Sequence, residues 1–203
     1  MRDKYGVGQD PYCYPDADAL VNKLNIRDEE NLAAAEIEFT TLRYKSYTST
    51  ILDIQEFTLE HLQRLHLHLF QDVYDWAGEL RTIDISKGAT RFCTASRIKT
   101  EADRLFRQIP LLKHAKTPEV FVRDVADLYC EINLLHPFRE GNGRAQRFFF
   151  EEMLFALGYD VLWPEISQQE WVYANVSGVN LDLQPLVDIF SSAMKTRAEF
   201  NQY

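Results

Sequence analysis

The chain contains little of what marks disulfide-rich, membrane-spanning or disordered proteins. Its three cysteines, Cys13, Cys93 and Cys130, form no CxxC pair, so we expect neither a disulfide framework nor a zinc site, and we expect a reducing compartment. Eight glycines and seven prolines in 203 residues exclude collagen-like and low-complexity classes. No apolar run approaches the length of a bilayer span, and the N-terminal residues lack an apolar signal core, which predicts a cytoplasmic location without membrane contact.

Positive charge is also scarce. The 22 Lys and Arg residues face 31 Asp and Glu residues, which gives a formal net charge of −9. Proteins that bind DNA or RNA through phosphates usually carry a basic patch or run, and none is present. We therefore expect no direct partner among nucleic acids.

Helical patterns dominate what is there. Hydrophobic residues make up 46% of the chain, enough for one buried core, and apolar spacing and capping signals predict helices over residues 28–47, 58–76, 95–114, 117–136, 142–158, from 167 onward, and 183–200. Only residues 81–92 alternate like a short β-hairpin. The prediction is a single all-α domain over residues 1–203, with its core at about 58–160, N-terminal helices within 16–50, C-terminal helices within 167–200 and one small hairpin.

The fourth predicted helix has clear ends. Thr117 suits an N-cap and Pro118 the first helical position. Pro137 disfavours helical geometry at the residue before it. The helix should therefore end near His136 and leave this histidine at the rim of a cleft.

The sequence HPFREGNGRAQR, residues 136–147, predicts a phosphate-handling site. Gly141 and Gly143 let the backbone N–H groups at a helix start approach an anion. Asn142 between them can donate its side-chain amide to a phosphoryl oxygen. Arg144 and Arg147 lie three positions apart on the same helix, so both guanidinium groups can reach one polyphosphate.

Three further residues of this stretch complete the predicted site. The unperturbed pKa of a histidine side chain is about 6.5, so the residue type at position 136, His136, suits a base that deprotonates a hydroxyl group near neutral pH. Glu140 can hold Mg²⁺ between two phosphate groups. Gln146 is placed at the border of the ligand. Each residue alone has an ordinary structural explanation, but the set serves no core, so the functional interpretation is favoured.

Other candidates are set aside. His61, His66 and His68 fall on one predicted helix, but spacings of five, seven and two do not place a pair on one face for a metal. The run Phe148, Phe149 and Phe150 is interpreted as core packing behind the phosphate site.

These residues resemble a known family. HPFREGNGR followed by Arg147 matches the Fic-domain signature HPFx(D/E)GNGRxxR at every defined position, residues 81–92 resemble the Fic flap hairpin, and DPYCYPDADALVNKLNI resembles the start of small bacterial Fic toxins. The resemblance implies the Fic fold, a helical core with a hairpin beside the active site. The Doc branch resembles HPFxDANKR and transfers phosphate, whereas Gly141 and Gly143 favour nucleotidyl transfer.

The resemblance also implies an activity: transfer of AMP from ATP to a Tyr, Ser or Thr hydroxyl of a target protein, with release of pyrophosphate. His136 would deprotonate the hydroxyl, and Glu140 would hold Mg²⁺ at the α- and β-phosphates. The α- and β-phosphates would be bound by Gly141, Asn142 and Gly143, and the β- and γ-phosphates by Arg144 and Arg147. A target segment would pair with the flap. The nucleotide and the target would both lie close to Lys87 and Gly88 at its tip. The flap comprises Ile85, Ser86, Lys87, Gly88, Ala89, Thr90, Arg91 and Phe92.

Regulation is expected to come from a second chain. Many Fic proteins carry an inhibitory helix with Ser or Thr, Glu four positions later, and then Gly or Asn, and no Ser or Thr here begins that pattern. The resemblance then implies a small antitoxin whose Glu would pair with Arg147, and type II topoisomerase subunits such as gyrase B or that of topoisomerase IV as targets. Two alternatives stay open: a nucleotide-binding or antitoxin-docking module without transfer activity, and an enzyme that uses another nucleotide or removes AMP.

Overall fold

The computed structural model describes residues 10–49, 51 and 53–197. Within them, seven α-helices alternate with short turns and two small sheets. The helices are α1 Glu29–Ser46, α2 Leu59–Phe70, α3 Ile98–Phe106, α4 Pro118–Leu135, α5 Asn142–Ala156, α6 Gln168–Val179 and α7 Gln184–Ala193. The strands are β1 Ser86–Lys87, β2 Thr90–Arg91, β3 Tyr159–Val161 and β4 Met194–Thr196. The predicted all-α fold with one hairpin beside the site is confirmed, and a second small sheet joins β3 to β4.

Local capping chemistry fixes the ends of the helices that matter for the site. The Thr117 hydroxyl accepts a hydrogen bond from the Val120 N–H, as predicted for the start of α4. At its other end α4 stops at Leu135, and His136 adopts a left-handed conformation with φ 43° and ψ 62°. The prediction that Pro137 ends this helix at His136 is therefore confirmed.

The core lies around α4 and α5. The inward residues of α4 are buried, and so are all three phenylalanines Phe148 to Phe150 on α5, as predicted. Helix α2 packs on α5 and α1 packs on α2, while α4 also contacts α3, α6 and α7. The start of α5 and the end of α4 are thus packed against several other helices, and these contacts position the loop between them.

Several predicted boundaries were wrong. The helix predicted over 58–76 ends at Phe70. Turns follow it up to Gly78, where φ is +81°. The helix predicted over 95–114 is interrupted into a 3-10 turn, α3 and a second 3-10 segment, Ile109–His114, which contains Pro110. Within 16–49 there is one helix, α1, preceded by turns and a Cys13–Leu20 bridge.

The C-terminal helix was also predicted too long. Helix α7 ends at Ala193, and β4 then pairs antiparallel with β3, with Met194 opposite Val161. The local pattern is compatible with a helix, but pairing with a distant strand decides the conformation. The end of the predicted helix, residues 198–200, lies outside the described residues.

The hairpin is short. Its register places Ser86 opposite Arg91 and Lys87 opposite Thr90, so Gly88 and Ala89 form the turn. Gly88 has φ +58°, which glycine adopts without strain. In the part of the chain that the structure describes, no helix has the length and apolarity needed to cross a membrane.

Candidate active site

The loop between α4 and α5 is shaped by a glycine whose surroundings leave no room for a side chain. Gly141 is the N-cap of α5 and has φ +78°. A Cβ at this position would lie 2.2 Å from Cζ of Phe70, far inside van der Waals contact. The backbone therefore passes directly over the Phe70 ring and presents the start of α5, whose first N–H groups have no acceptor within the helix, to the cavity. The Gly141 N–H, predicted to bind a phosphate, instead donates to Oε1 of Glu140, so the N–H groups offered to an anion are those that follow it.

Asn142 closes this loop. Its Oδ1 accepts a hydrogen bond from the Phe138 N–H at 2.8 Å, and its Nδ2 donates to the Phe138 carbonyl at 2.8 Å. We predicted that this amide would donate to a phosphoryl oxygen. The structure corrects that role: the side chain is engaged in holding the loop, and the backbone N–H at the helix start is what Asn142 can offer an anion.

His66 fixes the same loop from below. It is fully buried and stacks on Phe138 with ring centroids 3.9 Å apart. Its Nδ1 accepts a hydrogen bond from the Gly78 N–H at 2.8 Å. Since Nδ1 is an acceptor, the neutral ring carries its proton on Nε2, which donates to the Glu140 carbonyl at 2.9 Å. Burial lowers the pKa of His66 to about 3, so the ring is neutral at physiological pH.

We expect His66 to make folding less favourable in acid. The unfolded chain takes up a proton as pH falls through about 6.5, whereas the folded chain resists protonation down to about 3. The free energy of unfolding should therefore fall with pH across this window, by up to about 1.4 kcal/mol per pH unit. His66→Gln keeps a donor for the Glu140 carbonyl but cannot titrate. Urea unfolding from pH 7 to 4 should show a shallower acid loss for His66→Gln than for the unaltered chain.

The exposed His114 provides the matched control. His114→Gln should leave the acid dependence unchanged, because its side chain lies on the surface. Parallel curves for His66→Gln and the unaltered chain would contradict a buried neutral His66.

His136 is oriented for proton transfer at one nitrogen. Its Nδ1 lies 3.0 Å from the Asn133 carbonyl, which can only accept, so Nδ1 carries the hydrogen. In the neutral ring the lone pair is then on Nε2, as a general base requires. The ring stacks on Phe92 with centroids 3.8 Å apart and an angle of 12°. Two independent contacts thus fix both the tautomer and the plane of the imidazole.

Glu140 and Arg144 form the charged part of the loop. Oε1 of Glu140 accepts from the Gly141 N–H at 2.9 Å and lies 3.9 Å from Nη2 of Arg144. Arg144 also pairs with the buried Glu36 of α1 and lies over the Phe70 ring at 4.6 Å. Glu140 lines the cavity, and one carboxylate with phosphate oxygens is a typical Mg²⁺ donor set, so the residues present fit a magnesium ion.

Arg147 and Gln146, both predicted to contact the bound ligand, point to different sides of α5. Arg147 lies 5.4 Å from the Trp171 ring centroid and lines the cavity, as the spacing predicts. Gln146 does not. It is buried and donates from Nε2 to the Tyr129 carbonyl at 2.6 Å, so it joins α5 to α4. Its predicted place at the border of the ligand was wrong, since it points from the opposite side of the helix turn into the core.

One cavity of about 750 Å³ brings these residues together. Its volume lies in the usual range for small-molecule sites, roughly 300–1,000 Å³. Its wall includes His136, Glu140, the three residues 141–143, Arg144 and Arg147. Helix α1, helix α6 and the hairpin complete it.

The hairpin is only partly placed as predicted. Lys87 and Thr90 line the cavity, whereas Gly88 at the turn does not. Ile85 and Phe92 were predicted as part of a docking surface, but they are 2% and 7% exposed and pack with Ile83. Their burial makes these two side chains anchors of the hairpin, and Phe92 lines the cavity as well. The side chains of the other predicted flap residues, Ser86, Lys87, Ala89, Thr90 and Arg91, are exposed or half-buried.

The sequence did not reveal several residues that shape the site, among them Glu36, His66, Arg81 and Asn175. Glu36 could have been found, because Leu32, Glu36 and Thr40 share one buried face of α1, where an acid needs a partner. His66 and Arg81 gave no local signal. Asn175 of α6 lines the cavity, and its buried Oδ1 has no hydrogen-bond partner among the described residues.

The site and fold together define a class: helical proteins that hold a polyphosphate at a helix start beside a histidine and a hairpin. Residues 56–154 match the Fic/DOC family. The chain is 41% identical over 207 residues to "Probable protein adenylyltransferase Fic" of Escherichia coli (strain K12), with 98% of this chain and 99% of that protein covered. The chain belongs to the Fic/DOC family.

Two further proteins are similar to this chain, one in sequence and one in fold. "Protein adenylyltransferase VbhT" of Bartonella schoenbuchensis is 33% identical over 175 residues, 85% of this chain and 36% of that protein. The BepC protein of Bartonella tribocorum, solved with bound AMPPNP, is 23% identical and superimposes with a TM-score of 0.80 over 92% of this chain and 97% of that one. At this identity the structural likeness establishes the fold.

Proposed function

We propose that this protein transfers AMP from ATP to a Tyr, Ser or Thr hydroxyl of a target protein. The observation that carries the proposal is the common cavity, which unites His136 with an anion-binding helix start, two arginines and an exposed hairpin. The adenylyltransferase names of the relatives support the same reaction. The target is a protein with an extended segment that can pair with the hairpin, and we name gyrase B or the corresponding topoisomerase IV subunit as first candidates.

The chemistry follows from the oriented imidazole. Nε2 of His136 takes the proton of the target hydroxyl, whose oxygen attacks the α-phosphorus of ATP. The bond between the α-phosphorus and the bridging oxygen breaks, and pyrophosphate leaves with the bonding electrons. The N–H groups at the start of α5 face the charge that develops on the phosphoryl oxygens.

Charge on the departing pyrophosphate is met by cations. Arg144 and Arg147 lie on one face of α5 and would bind the β- and γ-phosphates. Bound at Glu140, Mg²⁺ would neutralise charge on the α- and β-phosphates. Arg144 is already aligned by Glu36, so its guanidinium is held in place before ATP arrives.

The adenine base has a candidate contact on α6. Nδ2 of Asn175 donates to the Trp171 carbonyl at 2.8 Å, which fixes the amide so that Oδ1 is the acceptor left over. The 6-amino group of adenine can donate to such an oxygen, whereas the 6-oxo group that guanine carries at the same ring position can only accept. Asn175 therefore favours ATP over GTP in this proposal.

The test is target labelling. The protein is incubated with Mg²⁺, ATP and purified gyrase B subunit or a bacterial lysate, and the modified protein is analysed by mass spectrometry. We expect a hydroxyl-linked AMP on a protein target. ATP binding without any modified protein would support the module without transfer activity and would contradict the proposal.

Arg147 should matter for the pose of ATP. Arg147→Ala removes a charge-assisted contact of about 1.5 to 3 kcal/mol, which corresponds to a loss of roughly 10- to 150-fold in kcat/KM for ATP. Arg104→Ala, an exposed arginine on α3, is the matched control and should not change kcat/KM. Steady-state kinetics of AMP transfer measures both, and unchanged kinetics for Arg147→Ala would remove its assigned role.

We infer that inhibition comes from a small antitoxin, which would make this chain the toxin of the pair. Support comes from the apolar side of the cavity, where α1 contributes Leu32, Ala33 and Ile37, and α6 contributes Val172, Val176 and Val179. Ile37 is 63% exposed and Val176 is 41% exposed. This groove fits the apolar face of one helix and leads to Arg147, where a Glu on that helix would take the place of the γ-phosphate.

A helical peptide that carries the Ser/Thr-x-x-x-Glu-Gly/Asn pattern tests this inference. It should bind the protein and compete with ATP, and the same peptide with Glu replaced by Gln should compete less. Ile37→Asp should weaken peptide binding while AMP transfer continues. Equal competition by both peptides would contradict a Glu–Arg147 pair. A cytoplasmic location, where ATP is available, remains part of the proposal.

A further inference from the structure

The guanidinium of Arg81 lies between the hairpin and the C-terminal end of α4. Its Nε donates to the His136 carbonyl at 2.8 Å, and its Nη1 donates to the Ile83 carbonyl at 2.6 Å. Nη2 donates to the Cys93 carbonyl and lies 3.4 Å from the Leu135 carbonyl oxygen. A single side chain thus binds both ends of the hairpin segment and the backbone of the histidine.

Backbone hydrogen bonds join the same parts. The Arg81 N–H donates to the Pro137 carbonyl at 2.9 Å, and the Cys93 N–H donates to the Leu134 carbonyl at 2.9 Å. The two sides of the hairpin are therefore attached to consecutive residues at the end of α4. Phe92, which lies between strand β2 and Cys93 in the chain, stacks on the His136 ring.

The carbonyl groups around Arg81 compensate the burial of its positive charge. Arg81 is 2% exposed, and burying a cation requires compensating partners. The last carbonyls of a helix lack intrahelical donors and carry the negative end of the helix dipole. A planar guanidinium can donate to several carbonyls in different directions, whereas the ammonium group of a lysine is a compact donor that cannot bridge them.

We propose that Arg81 is a positioning residue that sets the distance and angle between the hairpin and His136. A target segment paired with the hairpin would then present its hydroxyl to Nε2 of His136. This inference rests on the proposed function. Arg81 does not line the cavity, so its effect should fall on transfer to the target and leave ATP binding unchanged.

Arg81→Lys and Arg81→Gln test the proposal, with Arg104→Lys as a control for the same chemical change at an exposed site. The substrate is the protein band that the unaltered chain labels in a bacterial lysate. We expect kcat/KM for that target to fall about 100-fold, as small displacements from reactive geometry do. The dissociation constant of ATP, from titration calorimetry, should change less than twofold. Phe106→Leu, a core change away from the site, reports what general destabilisation alone does.

Two results would overturn the inference. One is that an Arg81 variant and Phe106→Leu, when their melting temperatures are equal, have the same kcat/KM for the target. The other is a loss of ATP affinity as large as the loss of transfer. If the unaltered chain labels no protein, the proposed function fails, and Arg81 is then judged by hydrogen exchange alone. In the unaltered chain the Arg81 Nε–H should exchange as slowly as the Phe92 and Cys93 amides, and rapid exchange at Nε would refute the clamp even if both variants fail to fold.

Discussion

Replacing His136 should lower the rate of AMP transfer by about 10²- to 10⁴-fold, the usual contribution of a positioned general base. Its Nδ1 is fixed by the Asn133 carbonyl and its ring by Phe92, so the base is held in one orientation that a substituted side chain does not reproduce. ATP should still bind, because the anion-binding start of α5 and both arginines are untouched. Initial rates of target modification, measured together with ATP affinity, check this result.

The choice of substitution matters because His136 has φ 43°. Alanine is strained in the left-handed region, whereas asparagine adopts it readily. His136→Asn is therefore the better variant, since it removes the base and keeps the end of α4. His114→Asn makes the same chemical change at an exposed position and should have normal activity. Near-normal transfer by His136→Asn would remove His136 from the mechanism.

Gly141→Ala should destabilise the fold and abolish ATP binding together. The new Cβ would lie 2.2 Å from Cζ of Phe70, and φ at this position is +78°. Overpacking and left-handed strain should together cost roughly 2–5 kcal/mol of the free energy of unfolding. The start of α5 must move to relieve the clash, so the N–H groups that face the phosphates move with it. Urea unfolding and ATP titration measure the two effects.

Gly143 offers a matched control in the same motif. A Cβ there would meet Nη1 of Arg147 at 3.4 Å and nothing closer, and alanine is favoured over glycine within a helix by about 0.5–1 kcal/mol. Gly143→Ala should therefore keep or raise stability. Phe70→Leu should recover part of the stability lost in Gly141→Ala. Equal effects of the two glycine substitutions would contradict the close approach to Phe70.

The sequence was informative where local chemistry decides the structure. Thr117, Pro118 and Pro137 define α4 through capping and through the limits that proline imposes. The spacing of Arg144 and Arg147 places both on one side of α5. The all-α fold class with one hairpin, and the presence of His136, Glu140, Arg144 and Arg147 at one place, follow from such short-range rules.

Long-range contacts decided what the sequence could not. Asn142 had a plausible role as a phosphate donor, yet its amide closes the loop to Phe138. Gln146 lies in the core because Tyr129 of α4 offers its carbonyl. His66 and Arg81 act on the site through backbone groups far away in sequence. No pattern of residue types marks a side chain whose partners are backbone carbonyls.

The central claim is that the α-phosphoryl group, with its adenosine, moves from ATP to a protein hydroxyl. The most direct measurement compares two reactions of the same preparation with Mg²⁺ and a bacterial lysate, one with ATP labelled at the α-phosphate and one with ATP labelled at the γ-phosphate. We predict label on a protein band from α-labelled ATP alone, and loss of that band with His136→Asn. Label from γ-labelled ATP would show phosphate transfer and would contradict the account.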